Sequence, residues 1–152
     1  FMLRDVDPPL NYATAGLPSP PSADAVAKLG LEKRVAVLQG SLLSPIPKQR
    51  LIDIVVSNPP YIPSKDIDAL APEVSQFEPR LALDGGSDGL DIYRQLIPQA
   101  AQRIRKALLV EVGQGQAHEV SQLMIKHGLH NPKIQNDLGG IPRVVMAIKA
   151  DP

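Results

Sequence analysis

The residues best suited to chemistry lie in Ser57-Asn58-Pro59-Pro60-Tyr61, directly after the β-branched run Ile52-Asp53-Ile54-Val55-Val56. The two prolines fix φ, lack N–H donors and hold Asn58 and Pro59 out of the α region, so the segment is stiff before any ligand arrives. What it offers is acceptors. The Asn58 side-chain oxygen and the Pro59 carbonyl can point the same way, and Tyr61 brings a flat apolar face beside them. Two convergent acceptors and a ring are the complement of a planar NH2 group. The lone pair of such a nitrogen is delocalised, so it is a poor nucleophile. Pulling on both N–H bonds favours pyramidalisation and steadies the positive charge that develops as the nitrogen attacks an electrophilic carbon. No strong base is needed before attack. The chemistry that fits is alkyl transfer onto an amide or an exocyclic amine, with in-line positioning supplying most of the rate. The plain alternative is a rigid strand-to-loop turn with no ligand.

The elements around this segment must place it at the end of a strand. Strand patterns occur at Val35-Ala36-Val37-Leu38, Ile52 to Val56, Ala107 to Val112, Lys133 to Asn136 and Val144 to Ile148, with Phe1-Met2-Leu3 reading as the end of another. Ser22 to Gly30 reads as a short helix. Leu90, Tyr93, Ile97, Ala100 and Ile104 mark one face of a longer one, in which Pro98 predicts a kink or break near Arg94. Val120, Leu123, Met124 and His127 mark a third helix, ended by Gly128. The second of these helices, read through Arg105-Lys106, meets the strand at Ala107 with no turn residue between them, so either it ends early or residues are missing at the junction. Strands alternating with helices predict an α/β fold with a largely parallel sheet. In such a sheet ligands bind beyond the carboxyl ends of the strands, where Asn58 lies.

Composition narrows the partners. The chain has 152 residues, no Cys, and 16 Lys+Arg against 16 Asp+Glu. Neutral charge gives no footprint for a phosphate backbone. The lack of Cys excludes Cys-ligated zinc and thiol catalysis, and no apolar run approaches the ~20 residues of a membrane span. Twelve of the 16 prolines fall within the first 79 residues, so the first half is loop-rich, with a breaker cluster from Ala15 to Ala23. His118, His127 and His130 match no common zinc spacing and read as structural or surface residues. Glu73, Glu78 and Asp84 read as fixing the loop after Tyr61, Asp84-Gly85-Gly86 as a turn needing positive φ, and Lys133, Arg143 and Lys149 as solvated strand-edge charges.

Four blocks carry a resemblance: Asp53 to Pro63, Glu78 to Leu90, Glu111-Val112-Gly113-Gln114-Gly115-Gln116, and Asp137 to Val145. Together and in this order they resemble the peptide chain release factor glutamine methyltransferases, the HemK/PrmC family, over residues 35 to 149. The resemblance implies a Rossmann-like class I fold and S-adenosylmethionine-dependent methyl transfer to the side-chain amide nitrogen of a glutamine in a release factor. By position, Asn58 and the Pro59 carbonyl hold the amide, Pro60 stiffens the loop, and Tyr61 packs on the substrate. Asn58 also borders the cofactor. Asp5 resembles the acid that binds the ribose hydroxyls at the end of the family's second strand. Ser41 and Leu42 resemble the segment bordering the adenine, although the family usually has an acid where Ser41 stands.

The family's glycine-rich first motif should precede Asp5, and its helical N-terminal domain should come before that. The resemblance therefore implies a single partial catalytic domain over residues 1–152, lacking the first strand and the glycine-rich motif. Glu111 to Gln116 imitates that motif but stands in the order as a late strand and loop. Without the first strand, the second and third should lose their link to the rest of the sheet, which predicts poor cofactor binding by this chain. A release factor is the implied partner, with no membrane partner and with nucleic acid disfavoured. The implied location is cytoplasmic, or mitochondrial in a eukaryote. The alternatives are N6-adenine or N2-guanine methylation of nucleic acid, and an inactive fragment that keeps only the substrate loop.

Overall fold

A computed structural model gives the fold; its described residues are 2–4, 10–14, 21–71, 73 and 78–150, with side chains described from residue 25 onward. The described strands are β1 (Met2–Arg4), β2 (Leu10–Thr14), β3 (Val35–Gln39), β4 (Ile52–Ser57), β5 (Ile104–Glu111), β6 (Leu129–Asn136) and β7 (Pro142–Lys149). They form one sheet in the order β3-β2-β1-β4-β5-β7-β6. The helices are α1 (Pro21–Lys28), α2 (Arg80–Leu83), α3 (Asp91–Arg103) and α4 (Ala117–Lys126), with a 3-10 helix at Ser64–Ala69.

The sheet is mixed rather than largely parallel. β2 pairs in parallel with β3, and β4 with β5, while the remaining neighbours are antiparallel. It follows that β2 to β6 share one direction and that β1 and β7 run against it. The place beside β4 is filled by Met2–Arg4, with Met2 opposite Val56 and Arg4 opposite Ile54. The strand expected to be second, β1, pairs with β4 directly, and β2 links β3 to it, so neither expected strand is cut off from the sheet. β2 itself, at Leu10–Thr14, carries no pattern that the sequence reading used.

The core lies between the sheet and the helices α3 and α4. Tyr93, Leu96, Ile97, Val120 and Met124 are fully buried with Leu108, Val110 and Val112 of β5 and the loop after it. Helix α3 is continuous through Pro98, so of the expected kink or break the break does not occur. A proline inside a helix costs about 3 kcal/mol. Burial of Tyr93, Leu96 and Ile97 at roughly 1.5–3 kcal/mol each outweighs that loss.

The junction after α3 follows the first of the two expected alternatives, an early end to the helix. The helix stops at Arg103, and Ile104 is already extended, with φ −80° and ψ 148°. Ile104 is buried and pairs with Ile52, so Arg105 and Lys106 belong to the strand and not to the helix. They occupy an irregularity in its pairing with β4 and bring their cationic ends to 3.9 and 4.0 Å from the buried Asp53 carboxylate. Arg103 closes the other side by donating to the carbonyls of Leu43 (3.0 Å), Ile46 (3.2 Å) and Pro47 (2.8 Å), which fastens the loop leading from β3 to β4.

Two charges expected to be solvated are bonded. Lys149 donates to the Ala101 carbonyl at 2.6 Å, and Arg143 is ion-paired with Asp137 at 3.2 Å. Lys133 is exposed, as are His118 and His130, and His127 is half-buried. No helix among the described residues is long and apolar enough to cross a membrane.

Candidate active site

The carboxyl edge of the sheet gathers the ends of β2 to β6, and β4 delivers Asn58-Pro59-Pro60-Tyr61 to it. Asn58 is exposed, Pro59 is buried, and Pro60 and Tyr61 are half-buried. Buried Ser57 ends the strand, so the chain turns out of the sheet where the prolines forbid further pairing.

The geometry around Tyr61 is closely determined. Its hydroxyl donates to Glu111 Oε1 at 3.3 Å, at the end of the neighbouring strand. Its carbonyl accepts from Gln116 Nε2 at 2.9 Å. Burial, and then the negative charge of Glu111, push the Tyr61 hydroxyl above its ordinary pKa; nearby Arg143 acts the other way. The hydroxyl therefore stays protonated and donating. Beneath it, Tyr93 is fully buried and donates to the Glu111 carbonyl at 2.7 Å, and burial raises its pKa as well.

The next residues are held by the turn before α3. Ile62 donates to the Leu83 carbonyl at 3.0 Å and accepts from Gly85 N at 2.8 Å, while Ser64 N donates to the Gly86 carbonyl at 2.9 Å. The Asp84 carboxylate accepts from the Ser64 hydroxyl at 2.5 Å and from Gly86 N at 3.0 Å. The Ser64 bond and then the Gly86 bond hold the Asp84 carboxyl below the usual range. Asp84 thus fixes the loop after Tyr61, as expected, whereas Glu73 and Glu78 are exposed. Two glycines are required by close approach. At Gly89, with φ +80°, a Cβ would run into the Tyr61 carbonyl oxygen and lie 2.5 Å from Gln116 Nε2. At Gly113 it would lie 3.0 Å from the Tyr61 ring.

Beside Tyr61 opens a cleft of about 590 Å³, walled by Ile62, Pro63, Leu90 and Gly113 to Gln116 and bordered by the carboxylates of Asp66, Asp88 and Glu119. None of its lining residues is Lys or Arg. Asp88 is engaged, with Arg94 at 2.6 Å and Leu90 N donating at 3.1 Å; these bonds, in that order, lower its carboxyl to about 2.

Of the positions expected to border a cofactor, Ser41, Leu42 and Asn58 are spread along the same edge. Ser41 is exposed just after β3, and Leu42, with φ 51°, packs against the core. β2 and β1 lie between them and Asn58, a separation of three strand spacings or about 14 Å. Asp5 lies outside the described residues. Sequence reasoning passed over Glu111 and Gln116 as ligands of Tyr61. It placed their segment correctly, as a late strand and loop, and the block Glu111 to Gln116 was the available signal.

Comparison with known proteins follows the same outline. No protein-family model matches the chain. It is 45% identical over 135 residues to the release factor glutamine methyltransferase of Geobacter sulfurreducens, a match covering 86% of this chain and 47% of that protein. It is 49% identical over 129 residues to the one from Bradyrhizobium diazoefficiens, covering 82% and 42%. The chain spans less than half the length of these relatives. Among solved structures it is similar to a methyltransferase from Pyrococcus furiosus, with TM-score 0.56 and 12% identity over 86% of this chain and 56% of that one. It is also similar to protein-(glutamine-N5) methyltransferase (release factor-specific) from Alicyclobacillus acidocaldarius, with TM-score 0.51 and 23% identity over 93% and 80%. The fold is that of a class I methyltransferase, and over the stretch it shares with them the chain is similar to the release factor glutamine methyltransferases.

Proposed function

We propose that this chain carries the acceptor half of a site that methylates the side-chain amide nitrogen of a glutamine in a peptide chain release factor. The observation that carries the reading is the rigid corner Asn58 to Tyr61, set at the carboxyl end of β4 beside an open cleft. Asn58 Oδ1 and the Pro59 carbonyl accept the two N–H bonds of the amide. Pro60 keeps that pair in place, and the Tyr61 ring flanks the plane of the amide. The carbonyls of Tyr61 and Ile62 are already taken by Gln116 and Gly85, so in this reading the acceptors come from Asn58 and Pro59, earlier in the corner. Drawing density through both N–H bonds makes the nitrogen more nucleophilic, and the same contacts strengthen as positive charge develops. The nitrogen gains a methyl group and gives up one of its two protons to solvent, so no base is required of the chain.

S-adenosylmethionine, when bound, supplies an electrophilic methyl group. Asn58 on one side and Ser41 and Leu42 on the other would hold it; the ribose role given to Asp5 is not supported, because β1 runs from Met2 beside Val56 to Arg4 beside Ile54, away from the edge where Asn58 lies. Asn58, Ser41 and Leu42 fit the parts of the cofactor that face β4 and β3. The middle of the edge fits less well, because β1 is reversed and presents its amino end at Met2, where a parallel strand would present a carboxyl-end turn. In this reading residues 1–152 are one part of a catalytic domain, and the helical domain implied by the resemblance lies outside them.

Protein is favoured over nucleic acid by the cleft itself. Asp66 and Glu119 at its border would repel a phosphate backbone, which needs Lys or Arg, while the charge of Asp88 is met by Arg94. The test offers a release factor, DNA and ribosomal RNA side by side with labelled cofactor at millimolar concentration. Label on the release factor glutamine supports the reading; label on nucleic acid alone refutes it, and label on none of the three supports an inactive fragment.

A further inference from the structure

Gln116 stands at the amino end of α4, on the wall of the cleft, and its side-chain amide joins three separate segments. Nε2 donates to the Tyr61 carbonyl at 2.9 Å and lies 3.4 Å from the Gly89 carbonyl, while Oε1 accepts from Gly113 N at 2.9 Å. Tyr61 belongs to the acceptor loop, Gly89 to the turn before α3, and Gly113 to the loop after β5. A primary amide is the side chain that can do this, since it donates two hydrogens from one end and accepts at the other.

The surroundings leave little room for another arrangement. A Cβ at Gly89 or Gly113 would lie 2.5 or 2.9 Å from an atom of the Gln116 amide, so both glycines make space for it. The opposite end of Tyr61 is tied to Glu111, so the residue is fixed at both its backbone and its hydroxyl.

We propose that Gln116 is a positioning residue: it fixes the carbonyl of Tyr61, and through the two-proline segment sets the direction in which Asn58 and Pro59 present their acceptors. The inference rests on the function proposed above. Its physical basis is that displacement of a reacting group by about 1 Å costs on the order of 100-fold in rate, far more than one hydrogen bond contributes to stability. Gln116→Glu keeps the acceptor for Gly113 N but sets an anionic oxygen against two carbonyls. Gln116→Met keeps the length and removes both functions.

The experiment uses the full chain labelled with fluorotyrosine. It contains three tyrosines, and Tyr61→Phe identifies the Tyr61 fluorine resonance. In Gln116→Glu and Gln116→Met that resonance should shift or broaden, while in Gln102→Glu, on the exposed face of α3, it should not. In the transfer assay at saturating cofactor, both Gln116 variants should lose about tenfold or more in kcat with less than about threefold change in KM for the release factor. An unchanged Tyr61 resonance overturns the proposal whatever the activity, and so does a shifted resonance with wild-type kcat. If the unsubstituted chain transfers nothing to a release factor while the resonance moves as described, the substrate reading fails and the clamp stands.

Discussion

The two ends of the same sheet edge are built by different means. At the β4–β5 end, the acceptor loop is held by backbone bonds to the turn at residues 83–86, by Gln116 and by Glu111, over apolar side chains that are fully buried. At the β3–β1 end, Ser41 is exposed, and the strand between β2 and β4 is three residues long and reversed. Under the proposed function, the difference teaches that substrate positioning and most of the cofactor contacts draw on separate parts of the chain. The acceptor corner is organised by contacts 50 and 55 residues apart in the sequence, all within residues 52–145. The cofactor corner depends on residues before β4.

The largest effect should come from filling the space against Tyr61. Gly89→Ala sets a Cβ at positive φ into the Tyr61 carbonyl, and should cost about 2–4 kcal/mol in a denaturant melt together with nearly all transfer. Gly115→Ala shares the positive φ, but its Cβ meets nothing within 4 Å, so about 1–2 kcal/mol is expected. Equal losses at the two glycines would remove the distinction between a merely left-handed turn and a packed acceptor corner. Next comes Asn58→Ala. Because the residue is exposed, the melt should be unchanged while kcat falls about 100-fold, the scale of losing one oriented catalytic contact.

How much of this was legible in the sequence depends on range. The stiffness of Asn58-Pro59-Pro60 is written in three adjacent residues, and β4 before it in four β-branched positions, Ile52, Ile54, Val55 and Val56. The order of four blocks carried the family. The ties of Tyr61 to Glu111 and Gln116 were not legible, because they join residues far apart in the chain, and nothing local in Gln116 distinguishes a clamp from a surface amide. The direction of β1 was hidden for a related reason: three residues do not encode which neighbour they pair with. At Pro98 the local rule allowed a break that does not occur, while at Arg103 it allowed the early helix end that does. Burial of the α3 stripe overrode the proline, and pairing of Ile104 with Ile52 ended the helix before Arg105.

Smaller effects test the same contrast. Tyr61→Phe removes only the bond to Glu111 and should cost about 1 kcal/mol of positioning, read as tenfold or less in kcat. Acid should loosen the acceptor corner. Asp84 and Asp88 have carboxyls lowered by Ser64 and Arg94 respectively, Asp88 to about 2. A carboxyl whose pKa is lower in the folded state contributes its stability in full above the unfolded value of about 3.9 and loses it as pH falls toward the folded value. Melts from pH 5 down to 2 should therefore show a loss that Asp88→Asn makes shallower; an identical slope in that variant would detach Asp88 from the corner. Smallest is Ser41→Ala, which should alter transfer by less than about twofold, since an exposed hydroxyl trades one water contact for another.

The contrast itself is tested most directly by isothermal titration of residues 1–152 with S-adenosylmethionine. With a reversed β1 at the middle of the edge, binding weaker than micromolar is expected. Micromolar binding would show that the cofactor corner is complete within this chain and would contradict the account.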